Sequence, residues 1–185
     1  MRLLLATAAR ARAWRDAFAS ALPDAELHVW PDAPAEVDYA LVWKPPPECF
    51  ERVKVMRAIA SLGAGVDALL AVPTLPAGVP ILRLTDAGMA GQMTEYVTLA
   101  VLAAFREQRE YARQQHERLW QPRRRLDKRG FAVGLLGMGV LGSAVAAALA
   151  PFGFPLHGWA RAPRDISGVA MHSGTEGLHA LLQAS

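Results

Sequence analysis

From Phe131 to Leu156 the chain carries no charged side chain, yet glycines at 134, 137, 139 and 142 crowd the first half of the stretch. Pro151 and Pro155 break its end. A hydropathy window of about 20 residues scores such a segment as a membrane span. A continuous helix, however, is poorly served by glycines at that spacing. A strand, a glycine turn and a short helix account for the same residues. Phe131-Ala-Val-Gly-Leu-Leu reads as the strand, Gly137-Met138-Gly139-Val140-Leu141-Gly142 as the turn, and 143–149 as the helix. Gly-x-Gly-x-x-Gly between a strand and a helix is a dinucleotide-binding pattern. Gly137 permits the tight turn, Gly139 lets a pyrophosphate approach the backbone, and Gly142 lets helix and strand pack closely. The first N–H groups of the helix and its dipole then favour phosphate. A merely structural turn is the alternative, and the motif alone does not exclude it.

The next strand, at 156–159, bears on which dinucleotide. An NAD site usually places an acid at its end to bond the ribose 2′-hydroxyl. Here the strand runs into Trp159-Ala160-Arg161, with Arg164 following. Two guanidiniums suit a 2′-phosphate, which they can bind bidentately, so the expected cofactor is NADP(H). A solvated arginine pair is the other way to read them.

With 185 residues, the chain could form one large domain or two small ones. Strands are expected at 2–6, 25–30, 39–43, 55–61 and 80–84, with helices over 11–21 and 48–53. Strands separated by helices imply parallel pairing in a doubly wound domain. A single long helix is expected over 92–118, apolar from Tyr96 to Phe105 and then rich in Gln, Glu and Arg, as though it starts buried and emerges toward a second domain or subunit. A polar loop over 120–129 follows, then strands at 131–136, 156–159 and 169–172 and a helix over 176–183. The domain assignment is 1–91, a connector and dimerisation segment at 92–129, and 130–185.

Composition narrows the partners. The formal charge of +3 is too small to imply nucleic acid. The basic run Arg123-Arg124-Arg125 with Lys128 and Arg129 is interrupted by Asp127, lacks stacking aromatics, and reads as a solvated loop. The apolar run 3–9 imitates a signal-peptide core, but Arg10, Arg12 and Arg15 follow at once, so a buried first strand fits better. No membrane association is expected. A single cysteine, Cys49, excludes an internal disulfide framework and a cysteine-based zinc cluster, and no metal site is expected. It fits a reducing cytoplasm.

The chain resembles the D-isomer-specific 2-hydroxyacid dehydrogenase family, most closely its glyoxylate/hydroxypyruvate reductase A branch. The resemblance runs through essentially its whole length. Its marks are Tyr39-Ala-Leu-Val-Trp-Lys-Pro-Pro46, Ser61-Leu-Gly-Ala-Gly-Val-Asp67, Asp86-Ala-Gly-Met-Ala-Gly-Gln-Met-Thr-Glu-Tyr96, Trp120-Gln-Pro122, the glycine turn, and Gly153-Phe-Pro-Leu-His-Gly-Trp-Ala-Arg161. It implies a flavodoxin-like doubly wound domain followed by the first half of a Rossmann dinucleotide-binding domain. It also implies NADPH-dependent reduction of a small 2-oxo acid. Gly63, Ala64 and Gly65 would bind the substrate carboxylate as an amide nest, and Trp43 would line the substrate pocket. Met93 and Thr94 would open the long helix on the nicotinamide side, with Glu95 anchoring the helix start. Trp120 would reach a neighbouring subunit's active site in a homodimer.

The same resemblance implies hydride transfer to the ketone carbon, with an imidazolium held by a carboxylate as proton donor and an arginine polarising the substrate oxygens. In the family those three residues lie later than anything this chain contains. His28, His116, His157, His172 and His179 match none of them, and Arg83 and Arg106 read as ordinary strand-end and helix-face charges. The expectation is therefore a fragment or truncated product without catalytic residues, prone to aggregation when alone. A catalytically inactive nucleotide-binding or dimerisation module is the alternative.

Overall fold

The computed structural model describes residues 1–7, 10–85 and 87–185 and divides into two compact units, Met1–Asp86 and Ala87–Ser185. Ala8 and Ala9 of the apolar run, and Asp86 of the third family motif, lie outside the described residues.

In the first unit, β1 (Arg2–Thr7), α1 (Ala11–Ala21), β2 (Glu26–Val29), β3 (Glu36–Trp43), α2 (Glu48–Arg52), β4 (Lys54–Ser61), α3 (Asp67–Leu70) and β5 (Ile81–Leu82) follow in turn. The strands pair in parallel in the order β2-β1-β3-β4-β5, which is the flavodoxin-like doubly wound order. Leu3, Leu4, Leu5 and Ala6 are all buried, which is why the first strand reads as an unbroken apolar run. With Val37, Ala40, Val42, Cys49, Ile59 and Leu69 they form the core, where each fully buried aliphatic side chain contributes about 1.5–3 kcal/mol.

Two strands depart from their expected bounds by more than two residues in all. β3 begins at Glu36, ahead of residue 39, because Asp38 interrupts the apolar alternation without ending the strand. Its Oδ2 accepts the Arg2 N–H at 2.7 Å, and that bond holds the Asp38 carboxyl below the ordinary carboxylate range. The ladder shifts register there, between Val37 and Tyr39. β5 keeps only two of the five expected residues, since its pairing stops at Leu82.

The second unit runs α4 (Met89–Phe105), α5 (Gln108–His116), a 3-10 turn (Lys128–Gly130), β6 (Val133–Leu136), α6 (Val140–Leu149), a 3-10 turn (Ala150–Phe152), β7 (Leu156–Ala160), β8 (Ala170–Ser173) and α7 (Gly174–Ala184). Its three parallel strands are ordered β6-β7-β8, the first half of a Rossmann sheet. One face packs Met138, Val145, Ala146, Leu149, Phe154, Leu156 and Ala160 against Phe105 of α4. Phe105 meets Phe131 and Phe154 edge to face at 5.3 and 5.1 Å. On the other face α7 lies so close to β6 that a Cβ on Gly134 would fall 3.0 Å from Leu181. Among the described residues, no helix is long and apolar enough to cross a membrane.

The single helix expected over 92–118 is two helices. Arg106 and Glu107 close the first by bonding to Leu102 and Ala104, and Glu107 takes a positive φ of 51°. The carbonyl of Glu107 starts the second helix by accepting from Glu110 and Tyr111, and its carboxylate receives Arg123 Nε at 2.7 Å. A contact sixteen residues away thus fixes the break. The burial gradient is also the reverse of expectation. Phe105, at the end of α4, is its buried residue, while Tyr96 and Leu99 are 71% and 67% exposed.

Candidate functional site

The glycine turn sits where β6 becomes α6. Gly137 adopts a φ of +96°, a conformation that favours glycine, and donates its N–H to the Trp159 carbonyl at 2.9 Å. A Cβ on Gly142 would lie 2.0 Å from the Gly137 oxygen, so only hydrogen allows the helix to start this close to the strand end. Gly139, the residue before the helix, has open space where its side chain would be and provides no capping side chain. Ser143 N–H is the first to bond back, to Gly139. The N–H groups of Val140, Leu141 and Gly142 are left as donors at the positive end of the helix. A diphosphate fits this arrangement: three donors, an unfilled approach over Gly139, and no acid at the mouth.

Beside the turn is a cavity of about 520 Å³ lined by Gly137, Met138, Gly139, Trp159, Arg161 and Arg164, among others. Both arginines singled out from the sequence are therefore in one place. Arg161 is exposed. Arg164 donates Nη1 to the Met138 carbonyl, which ties the turn to the segment after β7. The nearest acid in sequence, Asp165, is not part of the lining. Of the remaining turn residues, Met138 is buried beneath the sheet face and Val140 is 68% exposed. The latter therefore offers its backbone more than its side chain.

The second group lies in the first unit, at the carboxyl end of its sheet, the edge where ligands of doubly wound folds bind. A cavity of about 240 Å³ is lined by Val42, Trp43, Lys44, Ser61, Gly65, Asp67, Ala68 and Leu69. Trp43 ends β3, and its ring lies over Gly63 so closely that a Cβ there would be 2.1 Å from Cζ3. Gly63 is thus required by the tryptophan as well as by the turn. The Gly63 N–H bonds to Ser61 Oγ at 3.3 Å, so it is not a free donor as an open three-amide nest would need. The N–H groups of Ala64 and Gly65 have no partner among the described residues.

Three residues of this site were not evident from sequence. Ser61 stood as the end of a strand and Arg83 as an ordinary strand-end charge, while Lys44 stood in a family motif without a role of its own. The guanidinium of Arg83 instead reaches the Ala64 carbonyl at 3.4 Å. The available signal was a serine closing an apolar strand two residues before a Gly-x-Gly.

Other expected residues are placed apart from these cavities. Trp120 is 91% exposed on a segment that folds back on α5: Gln121 N–H donates to Gln114 Oε1 at 3.3 Å and Arg123 N–H to Tyr111 at 3.1 Å. Because α4 begins at Met89, Met93 and Thr94 lie in its second turn and do not open the helix. The Glu95 side chain is exposed and has no partner among the described residues, so it does not anchor the helix start. His157 and His172 bond to one another, Nδ1 to Nε2 at 3.1 Å, across β7 and β8. His28 meets Glu26, and His116 and His179 are exposed. Among the described residues no group of three or more His, Cys, Asp or Glu could hold a metal.

Residues 98–185 match the family described as D-isomer specific 2-hydroxyacid dehydrogenase, NAD binding domain. The chain is 44% identical over 181 residues to the glyoxylate/hydroxypyruvate reductase A of Yersinia enterocolitica, covering 95% of this chain and 58% of the relative. It is 44% identical over 172 residues to that of Serratia proteamaculans, covering 90% and 55%. A D-isomer specific 2-hydroxyacid dehydrogenase of Xanthobacter autotrophicus, solved with NADPH and MES, superposes with a TM-score of 0.87 at 36% identity over 100% of this chain and 61% of that one. An NADPH-dependent glyoxylate/hydroxypyruvate reductase of Sinorhizobium meliloti, solved with NADP and sulfate, gives 0.87 at 32% over 100% and 60%. The chain thus spans less than two thirds of the length of these relatives, and the likeness extends through both units.

Proposed function

We propose that this chain, which resembles the D-isomer-specific 2-hydroxyacid dehydrogenases throughout, is the carboxylate-binding and nucleotide-binding part of an NADPH-dependent reductase of small 2-oxo acids. The intact protein would convert glyoxylate to glycolate and hydroxypyruvate to glycerate. The observation that carries this reading is the pairing of an uncapped Gly137-x-Gly139-x-x-Gly142 helix start with Arg161 and Arg164 around one acid-free cavity. The NADPH and NADP complexes of the similar structures support it.

Bound NADPH supplies a hydride. The residues of this chain bind and orient. The N–H groups of Val140, Leu141 and Gly142 would receive the pyrophosphate, with Gly137, Met138 and Gly139 shaping its approach. Arg161 would hold the 2′-phosphate, and Arg164 would hold both that phosphate and the Met138 carbonyl. In the other unit, Ala64 and Gly65 would bind the substrate carboxylate, Gly63 would seat Trp43, and Trp43 would bound the pocket. Met93 is assigned to the cofactor side, and Trp120 to the active site of a second copy in a homodimer. The roles follow 1–91 for substrate, 92–129 for connection and dimerisation, and 130–185 for NADP. The protein is assigned to the cytoplasm, consistent with its free, buried Cys49.

The second reading is a nucleotide-binding or dimerisation module that performs no turnover. The two are separated by following NADPH absorbance at 340 nm with glyoxylate or hydroxypyruvate. The first reading predicts no turnover by these 185 residues and clear turnover by a protein of the relatives' full length. NADPH binding without turnover in both supports the second reading, and no binding in either contradicts both.

A further inference from the structure

We propose that Ser61 and Arg83 are positioning residues that make the 63–65 turn a two-donor cradle for the carboxylate of a 2-oxo acid. This rests on the reductase reading and identifies what prepares its substrate end. A three-residue turn offers three N–H donors and three carbonyl acceptors. By itself it has no reason to prefer an anion, since an outward carbonyl repels what an outward N–H attracts. Selectivity depends on which groups are already spent.

Ser61, 6% exposed at the end of β4, spends two of them. Its Oγ accepts the Gly63 N–H at 3.3 Å, and its hydroxyl donates to the Gly65 carbonyl at 3.3 Å. Arg83, just beyond β5, donates Nη1 to the Ala64 carbonyl at 3.4 Å. In a trans peptide the carbonyl and the following N–H point in opposite directions. Drawing the Ala64 oxygen to one side therefore turns the Gly65 N–H to the other. Two of the three carbonyls are withdrawn, and the Ala64 and Gly65 N–H groups remain without partners among the described residues. The Arg83 charge adds a favourable field, and Lys44 lines the adjoining cavity together with one acid, Asp67. Neither Ser61 nor Arg83 need touch the substrate; each acts through the peptide group it holds.

The test is a 15N NMR titration of the 185-residue chain with sodium glyoxylate, against sodium chloride at matched ionic strength. The Ala64 and Gly65 amide signals of the wild type are expected to move saturably. Ser61→Ala, which loses both serine bonds, should weaken glyoxylate binding by about tenfold or more. Arg83→Gln should weaken it about tenfold. Ser61→Thr retains the hydroxyl and should recover affinity to within about threefold of wild type. A merely structural serine would not be rescued in anion affinity by threonine independently of the thermal midpoint. NADPH affinity, read by nucleotide fluorescence on the same samples, should not change in any variant. If Ser61→Ala fails to fold, Arg83→Gln decides, because its side chain is exposed. Wild-type-like glyoxylate binding by Arg83→Gln and Ser61→Ala would overturn the proposal while leaving the reductase reading intact. A wild type that binds NADPH but does not respond to glyoxylate would overturn the 2-oxo-acid reading itself, and this proposal with it.

Discussion

Replacing Gly142 with alanine places a methyl group where the backbone of Gly137 already is. The added carbon would sit 2.0 Å from the Gly137 oxygen and 3.0 Å from its carbonyl carbon. Neither atom can rotate away. Gly137 is held by its N–H bond to Trp159, and the first turn of α6 by the Ser143 bond to Gly139, both at 2.9 Å. Separating them by about 1 Å costs roughly 1–3 kcal/mol, as overpacking generally does. Alanine's better helix propensity offsets about 1 kcal/mol of that. The net loss of up to about 2 kcal/mol should lower the melting temperature by up to roughly 8 °C for the unit Ala87–Ser185, at about 4 °C per kcal/mol for a domain of about 100 residues. Calorimetry measures it. Gly139→Ala is the counterpart, because open space surrounds the added carbon and the φ of −80° is ordinary. It should leave the melting temperature unchanged or slightly raised and yet weaken NADPH binding by about tenfold or more, since the methyl stands where a phosphate approaches. A Gly142→Ala protein more stable than wild type would refute the close approach. A Gly139→Ala protein with undiminished NADPH affinity would refute the cradle.

Two further outcomes follow from buried and paired groups. Burial pushes the Cys49 thiol up to about 11 from its ordinary 9.0, so the native protein should react slowly with iodoacetamide at pH 8 and rapidly once unfolded; equal rates would contradict the packing. A raised pKa favours the fold fully below the unfolded value, so this contribution should fade as pH rises from 9 toward 11, and Cys49→Ala should not show that component. Hydrogen bonds from Arg113, then Gln114, lower the Glu110 carboxyl from 4.5 to about 2. A depressed carboxylate stabilises above its unfolded pKa and ceases to do so as pH falls through the folded one. Helical circular dichroism should therefore decline between pH 4.5 and 2 by more in wild type than in Glu110→Gln, and identical slopes would remove Glu110 from the account.

What could be read from sequence was what neighbours in the chain decide. The glycine spacing at 137, 139 and 142 specifies a strand, turn and helix within a dozen residues, and α1 falls where it was expected, over 11–21. The parallel pairing in both sheets follows from alternating strands and helices, whereas their strand order came from the resemblance. What was hidden depends on partners far along the chain. Glu107 breaks the long helix because Arg123 folds back to it, and no local composition announces that. Asp38 sits inside β3 because the Arg2 N–H satisfies it from the neighbouring strand. Ser61 and Arg83 acquire their roles only when β4 and β5 bring them to the same turn. Trp43 and the 63–65 turn were found through resemblance, whereas their mutual fit, a ring over a missing side chain, is a fact of packing.

The central claim, that the turn at Gly137 and the guanidiniums beside it recognise NADPH, is tested most directly by titrating the chain with NADPH and with NADH in parallel while following nucleotide fluorescence. NADPH should bind about tenfold or more tightly than NADH, as expected for a charge-assisted phosphate contact. Arg161→Ala should remove most of that preference, the Arg161→Ala/Arg164→Ala double variant should bring NADPH to the affinity of NADH, and Arg161→Ala should leave NADH unchanged. Equal affinities in the wild type, or an Arg161→Ala protein that loses both nucleotides to the same degree, would contradict it.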